Sequence, residues 1–118
     1  MDHITIPDLT KSPPRPGRLL LGGRYAWLAR LADKVRAQHA GTNDGYEGYC
    51  PLSVAFLRTI GISEETFDEL IDQGASDEDL VAYFDGHVSE QRREKANALV
   101  LQDHAGALDR QDADEGYR

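Results

Sequence analysis

The single cysteine is the residue with the clearest potential for nucleophilic chemistry. Cys50 precedes Pro51, and proline suits the first position of a helix, so Cys50 is the predicted N-cap of a helix that begins at Pro51. A thiol at that end of a helix has a lowered pKa and favours the thiolate. His39 could serve as its base, and Lys34 or Glu47 could give acid–base support. The competing interpretation is a small side chain packed where a loop meets a helix.

Cationic and aromatic residues form a second set of candidates. Arg24 follows two glycines at the start of a predicted helix, where backbone amides and a guanidinium can bind an anion. Arg30 and Lys34 are four residues apart and share a face of that helix, which leads directly into a loop with two tyrosines. We therefore expect one ligand-binding site, formed by Arg24, Arg30, Lys34, Tyr46, Glu47 and Tyr49. The competing interpretation is a solvated helix face on which Asp33 compensates the cations.

Metal and cofactor chemistry have little support in the residue pattern. The four histidines lack metal-ligand spacing, and the run from Asp77 to Asp79 lacks the alternating ligands and central glycine of a calcium loop. A single cysteine excludes a cysteine-based zinc site and an intrachain disulfide. Nucleotide-binding glycine motifs are also absent. We expect no metal and no cofactor.

Helical patterns predict an all-α fold of about five short helices. Apolar residues from Trp27 to Val35 recur on one helical face, which predicts a first helix from about Arg24 to Ala40. Pro51 begins the second helix, and glycines or capping serines delimit those that follow. The capping serines are Ser63, Ser76 and Ser89, and the last helix is expected to reach about Gln102.

Proline, glycine and charge divide the chain into three parts. Residues 1–23 are rich in proline and glycine and predict an extended N-terminal arm, held to the body by Leu9 and by residues 19–21. Residues 24–105 form the helical domain. Residues 106–118 are mostly acidic or small, which predicts a disordered tail.

The charge distribution limits the classes of partner. A net charge of −8 argues against nucleic-acid binding, and no apolar run is long enough to cross a membrane. Residues 1–40 carry seven Lys or Arg against three Asp or Glu, whereas residues 61–90 carry ten Asp or Glu and no Lys or Arg. The asymmetry fits either two solvated faces of opposite sign or a docking polarity, between subunits or towards an anion.

Ordered short motifs along residues 9–85 carry a family resemblance. They are Leu9-Thr10-Lys11, Pro13-Pro14-Arg15, Leu21-Gly22-Gly23, Leu28-Ala29-Arg30, Asp33-Lys34, Arg36-Ala37, Gly41, Cys50-Pro51-Leu52, Phe56-Leu57, Ile60-Gly61-Ile62 and Gly74-Ala75-Ser76-Asp77. Together they resemble domain-of-unknown-function family 5069, which implies a small bacterial protein without an assigned activity. The chain departs from the family pattern in the loop of Tyr46 and Tyr49, and at Ser53, where the family tends to have Asp.

These observations favour a non-enzymatic binding or regulatory module that recognises a small anionic ligand or a protein partner. One alternative is a small enzyme that uses Cys50 as a reactive thiol. Another is a structural protein that self-associates, as a homo-oligomer, through its two charged regions. A cytoplasmic location is expected in each case, because the chain lacks a signal sequence at its N-terminus.

Overall fold

The described part of the chain folds into six α-helices, of which the first is the central, buried one. A computed structural model describes residues 5–117, and within that range it contains no β-strand, only an isolated bridge between Leu21 and Tyr25. The all-α prediction is confirmed. The helices are α1 (Leu28–Ala40), α2 (Pro51–Ile60), α3 (Glu64–Asp72), α4 (Asp77–His87), α5 (Glu90–Ala98) and α6 (Ala105–Glu115), and a π-helical segment, Leu99–Asp103, joins α5 to α6.

For α2 to α5, local capping chemistry sets the helix starts where the sequence predicts them. Cys50 is the N-cap of α2 in extended conformation, with Pro51 at the first helical position. The three capping serines each accept a hydrogen bond from the backbone amide three residues later, and Ser76 forms a complete capping box with Asp79. The fifth helix is shorter than predicted, because the π-helical segment replaces its last turn.

The central helix α1 is buried on every side. All residues from 28 to 37 are buried, including Arg30, Asp33, Lys34 and Arg36. The interpretation of these charges as a solvated face is therefore wrong. Arg30, Asp33 and Arg36 form salt bridges with other segments of the chain, and Lys34 lies against the thiol of Cys50.

The N-terminal segment reaches α1 without forming a helix of its own. Leu9 and Leu21 are buried, whereas Leu19 and Leu20 are exposed and do not hold the segment to the body as expected. The helix begins at Leu28 rather than Arg24, because Trp27 takes a left-handed backbone conformation with φ of 71°. Residues 1–4 of the predicted arm lie outside the described residues.

The C-terminal segment differs most from the expectation. The disordered tail predicted for residues 106–118 is instead helix α6 up to Glu115, with Leu108 fully buried. The backbone at Gly17 packs closely against Trp27 and against Leu108 of α6: a Cβ on Gly17 would lie 2.7 Å from Trp27 and 2.8 Å from Leu108. Three of the four acidic residues that suggested disorder, Asp109, Asp112 and Glu115, form salt bridges with Arg18 or Arg30. Arg118 lies outside the described residues.

Candidate functional site

The buried indole of Trp27 is the centre of the candidate site. Its side chain is fully buried, and the residue takes its left-handed backbone conformation immediately before α1. The guanidinium carbon of Arg30 lies 5.7 Å from the ring centroid, and Nζ of Lys34 lies 5.1 Å from it. Both distances suit cation–π interactions. Trp27 therefore holds two cations over one aromatic surface.

Lys34 contacts the thiol of Cys50 and no carboxylate. Its Nζ lies 3.3 Å from Sγ of Cys50, and no Asp or Glu of residues 5–117 forms a salt bridge with it. Only 4% of Lys34 is exposed. Burial lowers the pKa of Lys34 below its ordinary value of 10.5, and the negative charge of the thiolate opposes that change. The ammonium of Lys34 lies against the sulfur and favours the thiolate form of Cys50, while the more distant charge of Glu115 also raises the pKa of Lys34.

Ser53 adds a second donor to the same sulfur. Nε1 of Trp27 lies 3.0 Å from Oγ of Ser53, and because an indole can only donate, Ser53 accepts this bond. The hydroxyl proton of Ser53 is then free to point at Sγ of Cys50, 3.4 Å away. Burial raises the pKa of Cys50, but the bond from Ser53 and the charge of Lys34 outweigh burial and bring the pKa below 9.0.

A carboxylate from the far end of the chain completes the cluster. Glu115, the last residue of α6, accepts two hydrogen bonds of 2.7 Å from the guanidinium of Arg30. The hydroxyl of Tyr46 donates to the same carboxylate over 3.1 Å, and the ring of Tyr46 lies 5.8 Å from the guanidinium. Burial is the main reason that the pKa of Tyr46 lies above 10.0, and the nearby Glu115 adds to it.

Three of the six predicted ligand-binding residues meet in this cluster, namely Arg30, Lys34 and Tyr46. Arg24 instead forms salt bridges with Asp85 and Glu90. The six residues therefore do not converge on one ligand. Arg24 precedes α1, and its two salt bridges hold it to α4 and α5 rather than to this cluster.

The remaining predicted residues lie beside the cluster. Tyr49 donates to Asp68 over 2.8 Å, and His39 also contacts Asp68, at 3.0 Å, rather than the thiol. Burial raises the pKa of Tyr49 well above its ordinary value of 10.0, with Asp68 as the second cause. Glu47 is exposed on the loop. His39 is thus placed to orient Asp68 and is not positioned as a base for Cys50.

Trp27, Ser53 and Glu115 belong to the cluster but were not among the predicted site residues. Ser53 had a signal in the sequence, since the third helical position is where a side chain faces the N-cap. Trp27 was assigned to the core from its helical spacing, and it is indeed buried. Glu115 had no signal, because 85 positions separate it from Arg30.

An open pocket of about 420 Å³ lies elsewhere, next to Arg15 and Arg36. Both arginines are already paired: Arg15 with Asp33 and Asp77, and Arg36 with Asp77. The pocket therefore offers an incoming anion no uncompensated cation. We thus regard the pocket as a weaker candidate for the functional site than the thiol cluster.

Comparison with known proteins gives a family and no activity. The family model described as Domain of unknown function (DUF5069) matches residues 11–117. No curated protein matches the chain. Within residues 5–117, no helix has both the length and the apolar character that crossing a membrane requires.

Proposed function

The chain belongs to the DUF5069 family, a domain of unknown function, and we therefore propose its activity from the site itself: Cys50 is a reactive nucleophile that Lys34 maintains as a thiolate. This is the enzymatic alternative of the sequence analysis, with Lys34 in the supporting role and without Glu47 or His39. The contact between Nζ and Sγ is the observation that carries it.

Stability alone gives a poor reason for that contact. An ammonium removed from water loses hydration that a neutral thiol cannot replace, so a buried lysine without a carboxylate costs free energy. A negative charge on the sulfur lowers this cost far more than a neutral thiol does. Reactive cysteines occur next to lysine and at helix N-termini, and Cys50 has both neighbours.

The chemistry follows from the charge state of the sulfur. The thiolate uses an electron pair of Sγ to form a bond to an electrophilic carbon, and the leaving group departs with the electrons of its bond to that carbon. No base has to remove a proton from sulfur during the step. Lys34 and Ser53 hold the sulfur before the reaction, and Lys34 can give a proton to the departing group.

The first test measures the rate at which iodoacetamide alkylates Cys50 as a function of pH. In the wild-type protein the rate should rise with a midpoint below 9.0, the ordinary thiol value. Lys34→Met removes the cation and keeps an apolar stem of similar length, so burial then dominates and the midpoint should rise. Lys95→Met is the matched control, since Lys95 is exposed on α5, and it should leave the midpoint unchanged.

Two results would contradict the proposal. A wild-type thiol that is alkylated no faster than free cysteine at neutral pH, with a midpoint at or above the ordinary value, would make Cys50 a packing residue. A midpoint that Lys34→Met does not move would remove Lys34 from the role of stabilising the thiolate.

Anion binding without chemistry is the second candidate function, as a binding or regulatory module. It is supported by the carboxylate of Glu115, which shows that Arg30 and Tyr46 can hold an anionic group. The two functions differ in the role of Cys50. Cys50→Ser would abolish the first and leave the second unchanged.

A cytoplasmic location is part of the first proposal. A free cysteine with thiolate character needs reducing surroundings in order to persist, and the cytosol supplies them. The chain has no second cysteine that could protect Cys50 in an intrachain disulfide.

A further inference from the structure

We propose that the electrophile attacked by Cys50 carries a carboxylate, and that Arg30 and Tyr46 bind this carboxylate in the position that Glu115 occupies. Glu115 is then an intramolecular occupant of the substrate site, and the end of α6 has to move for the substrate to enter. The inference rests on the proposed function and adds the substrate class to it.

Glu115 is bound in the way that proteins bind a carboxylate ligand. Its two oxygens each accept one hydrogen bond from a different nitrogen of Arg30, and Tyr46 contacts one of them. A guanidinium presents its donors in a planar fork, so this two-point contact selects a planar anion. Arg30 is 3% exposed, and the geometry is therefore fixed before any ligand arrives.

The guanidinium of Arg30 also retains a donor that Glu115 does not use. Its Nε is buried and has no hydrogen-bond partner within residues 5–117. A buried donor left unpaired costs free energy, which Glu115 alone does not recover. A ligand with a further acceptor next to its carboxylate would satisfy Nε as well.

The carboxylate site and the thiol lie within reach of one small molecule. Arg30 and Lys34 are one helical turn apart, and both lie over the same indole ring. The thiol of Cys50 contacts Lys34. A molecule with an electrophilic carbon a few bonds from its carboxylate would therefore place that carbon near Sγ while Arg30 holds the anion.

Helix α6 has the features of a segment that can detach. Only Leu108 and Asp112 are buried along its eleven residues, and its links to the body include salt bridges with Arg18 and Arg30 and a hydrogen bond from Tyr46. Two acceptors at this interface, Oδ1 of Asp112 and Oε1 of Gln111, are buried without a partner in the described part of the chain. Few buried apolar side chains and unpaired polar atoms mark a segment of low local stability.

The test compares the alkylation of Cys50 by acids and by their neutral amides. Iodoacetate and 3-iodopropionate are each measured against the corresponding amide; in all four reactions an S–C bond forms and iodide leaves. The readout is the rate of the acid divided by the rate of its amide. Glu115→Ala vacates the site on Arg30, so this ratio should rise about tenfold for at least one chain length, and the rate should saturate with acid concentration.

The control distinguishes binding of the acid at Arg30 from the long-range electrostatic field of the protein. Asp109→Ala removes a carboxylate from the same helix, one that pairs with Arg18 rather than Arg30, and should change the ratio much less. If both variants raise the ratio equally without saturation, the effect is long-range electrostatics and the inference is wrong. The inference is also wrong if Glu115→Ala and the wild-type protein give the same ratio of acid rate to amide rate at both chain lengths.

A second variant and a mutation-free measurement cover a loss of folding in Glu115→Ala. Glu115→Gln keeps the volume of the side chain and removes its charge, and the same rise in the ratio is expected. In the wild-type protein, acetate should accelerate amide hydrogen exchange in α6, compared with chloride at equal ionic strength, and leave α3 unchanged. Equal exchange in both salts counts against the inference.

The failure of this inference can be told apart from failure of the proposed function. If the amides alkylate Cys50 rapidly at neutral pH and the acids show no preference, the thiolate is confirmed and the carboxylate site is not. If the amides themselves react no faster than with free cysteine, the proposed function fails first.

Discussion

Lys34 shows how burial changes the meaning of a charged side chain. On the surface an ammonium is hydrated and costs little, whereas Lys34 has lost nearly all of its contact with water. In place of water, its ammonium contacts the ring of Trp27 and the sulfur of Cys50, and both are weaker partners than a carboxylate. We therefore infer that Lys34 acts on the thiol rather than on the stability of the fold.

This view gives a prediction for the stability of the Lys34→Met protein. Replacing a buried charged group with an apolar one of similar volume is often neutral or stabilising, and we expect a gain of about 1 kcal/mol or no change. Equilibrium unfolding of the Lys34→Met protein by urea would measure this change in stability. The same variant is the one in which we expect the thiol to lose reactivity. A loss of several kcal/mol would instead mean that Lys34 has a structural role.

At the scale of elements, α1 is central because its charges are neutralised by different segments. The N-terminal segment supplies Arg15 to Asp33, α4 supplies Asp77 to Arg36, and α6 supplies Glu115 to Arg30. Each pair joins segments that are far apart in the chain. Burying α1 on all sides therefore depends on the whole fold being assembled.

The attachment of α6 depends on one apolar side chain, and Leu108→Ala tests this. A fully buried leucine replaced by alanine typically costs about 2–5 kcal/mol. We expect faster hydrogen exchange in α6 than in α2 and α3, because the loss falls on a segment with few other apolar contacts. Leu20→Ala is the control: Leu20 is exposed, so its removal should change stability by less than about 0.5 kcal/mol. A uniform increase of exchange in all helices would show that α6 does not open by itself.

At the scale of the whole molecule, the charge asymmetry of the sequence is largely resolved within the chain. Five arginines of residues 1–40 form salt bridges with acidic residues of α4, the start of α5, or α6; these arginines are Arg15, Arg18, Arg24, Arg30 and Arg36. Solvated faces and external docking were the two alternatives considered from the sequence. Internal pairing is a third alternative. Because these salt bridges are partly shielded from water, the small interaction energies of fully exposed pairs do not describe them.

The pH dependence of stability should have a maximum between the titration of the thiol and that of the tyrosines. The folded state lowers the pKa of Cys50 below 9.0, so the unfolded chain binds more protons there and stability rises with pH towards 9.0. Burial and a bond to Asp85 raise the pKa of Tyr25 to about 12, and Tyr46 and Tyr49 are raised as well. Their contribution is complete below 10.0, the unfolded value, and is lost as the pH rises above it.

Urea unfolding at a series of pH values would test this profile. The unfolding free energy should increase from neutral pH to about 9 and decrease above about 10. Tyr25→Phe should flatten the alkaline decrease, and Cys50→Ser should flatten the rise. A free energy that stays constant through the alkaline range would contradict the raised tyrosine pKa values.

The sequence by itself determined five of the six described helices and the starts of four of them, α2 to α5. Capping by Ser63, Ser76 and Ser89, and the pair Cys50–Pro51, depends on residues within three or four positions of each other. Such short-range signals can be read from a chain without knowing its fold. The thiol at the start of α2 was recognisable for the same reason, whereas its contact with Lys34, 16 positions away, was one of two alternatives, the other being Glu47.

Only the tertiary structure decided which charges meet. Arg30 and Glu115 are 85 positions apart. Arg24 pairs with Asp85 and Glu90, more than 60 positions later in the chain, and does not contribute to the predicted site. The acidic composition of the tail predicted disorder, and the same acids fix it as α6 once arginines lie opposite them. Long-range pairing depends on how the elements pack, and neither composition nor periodicity encodes it locally.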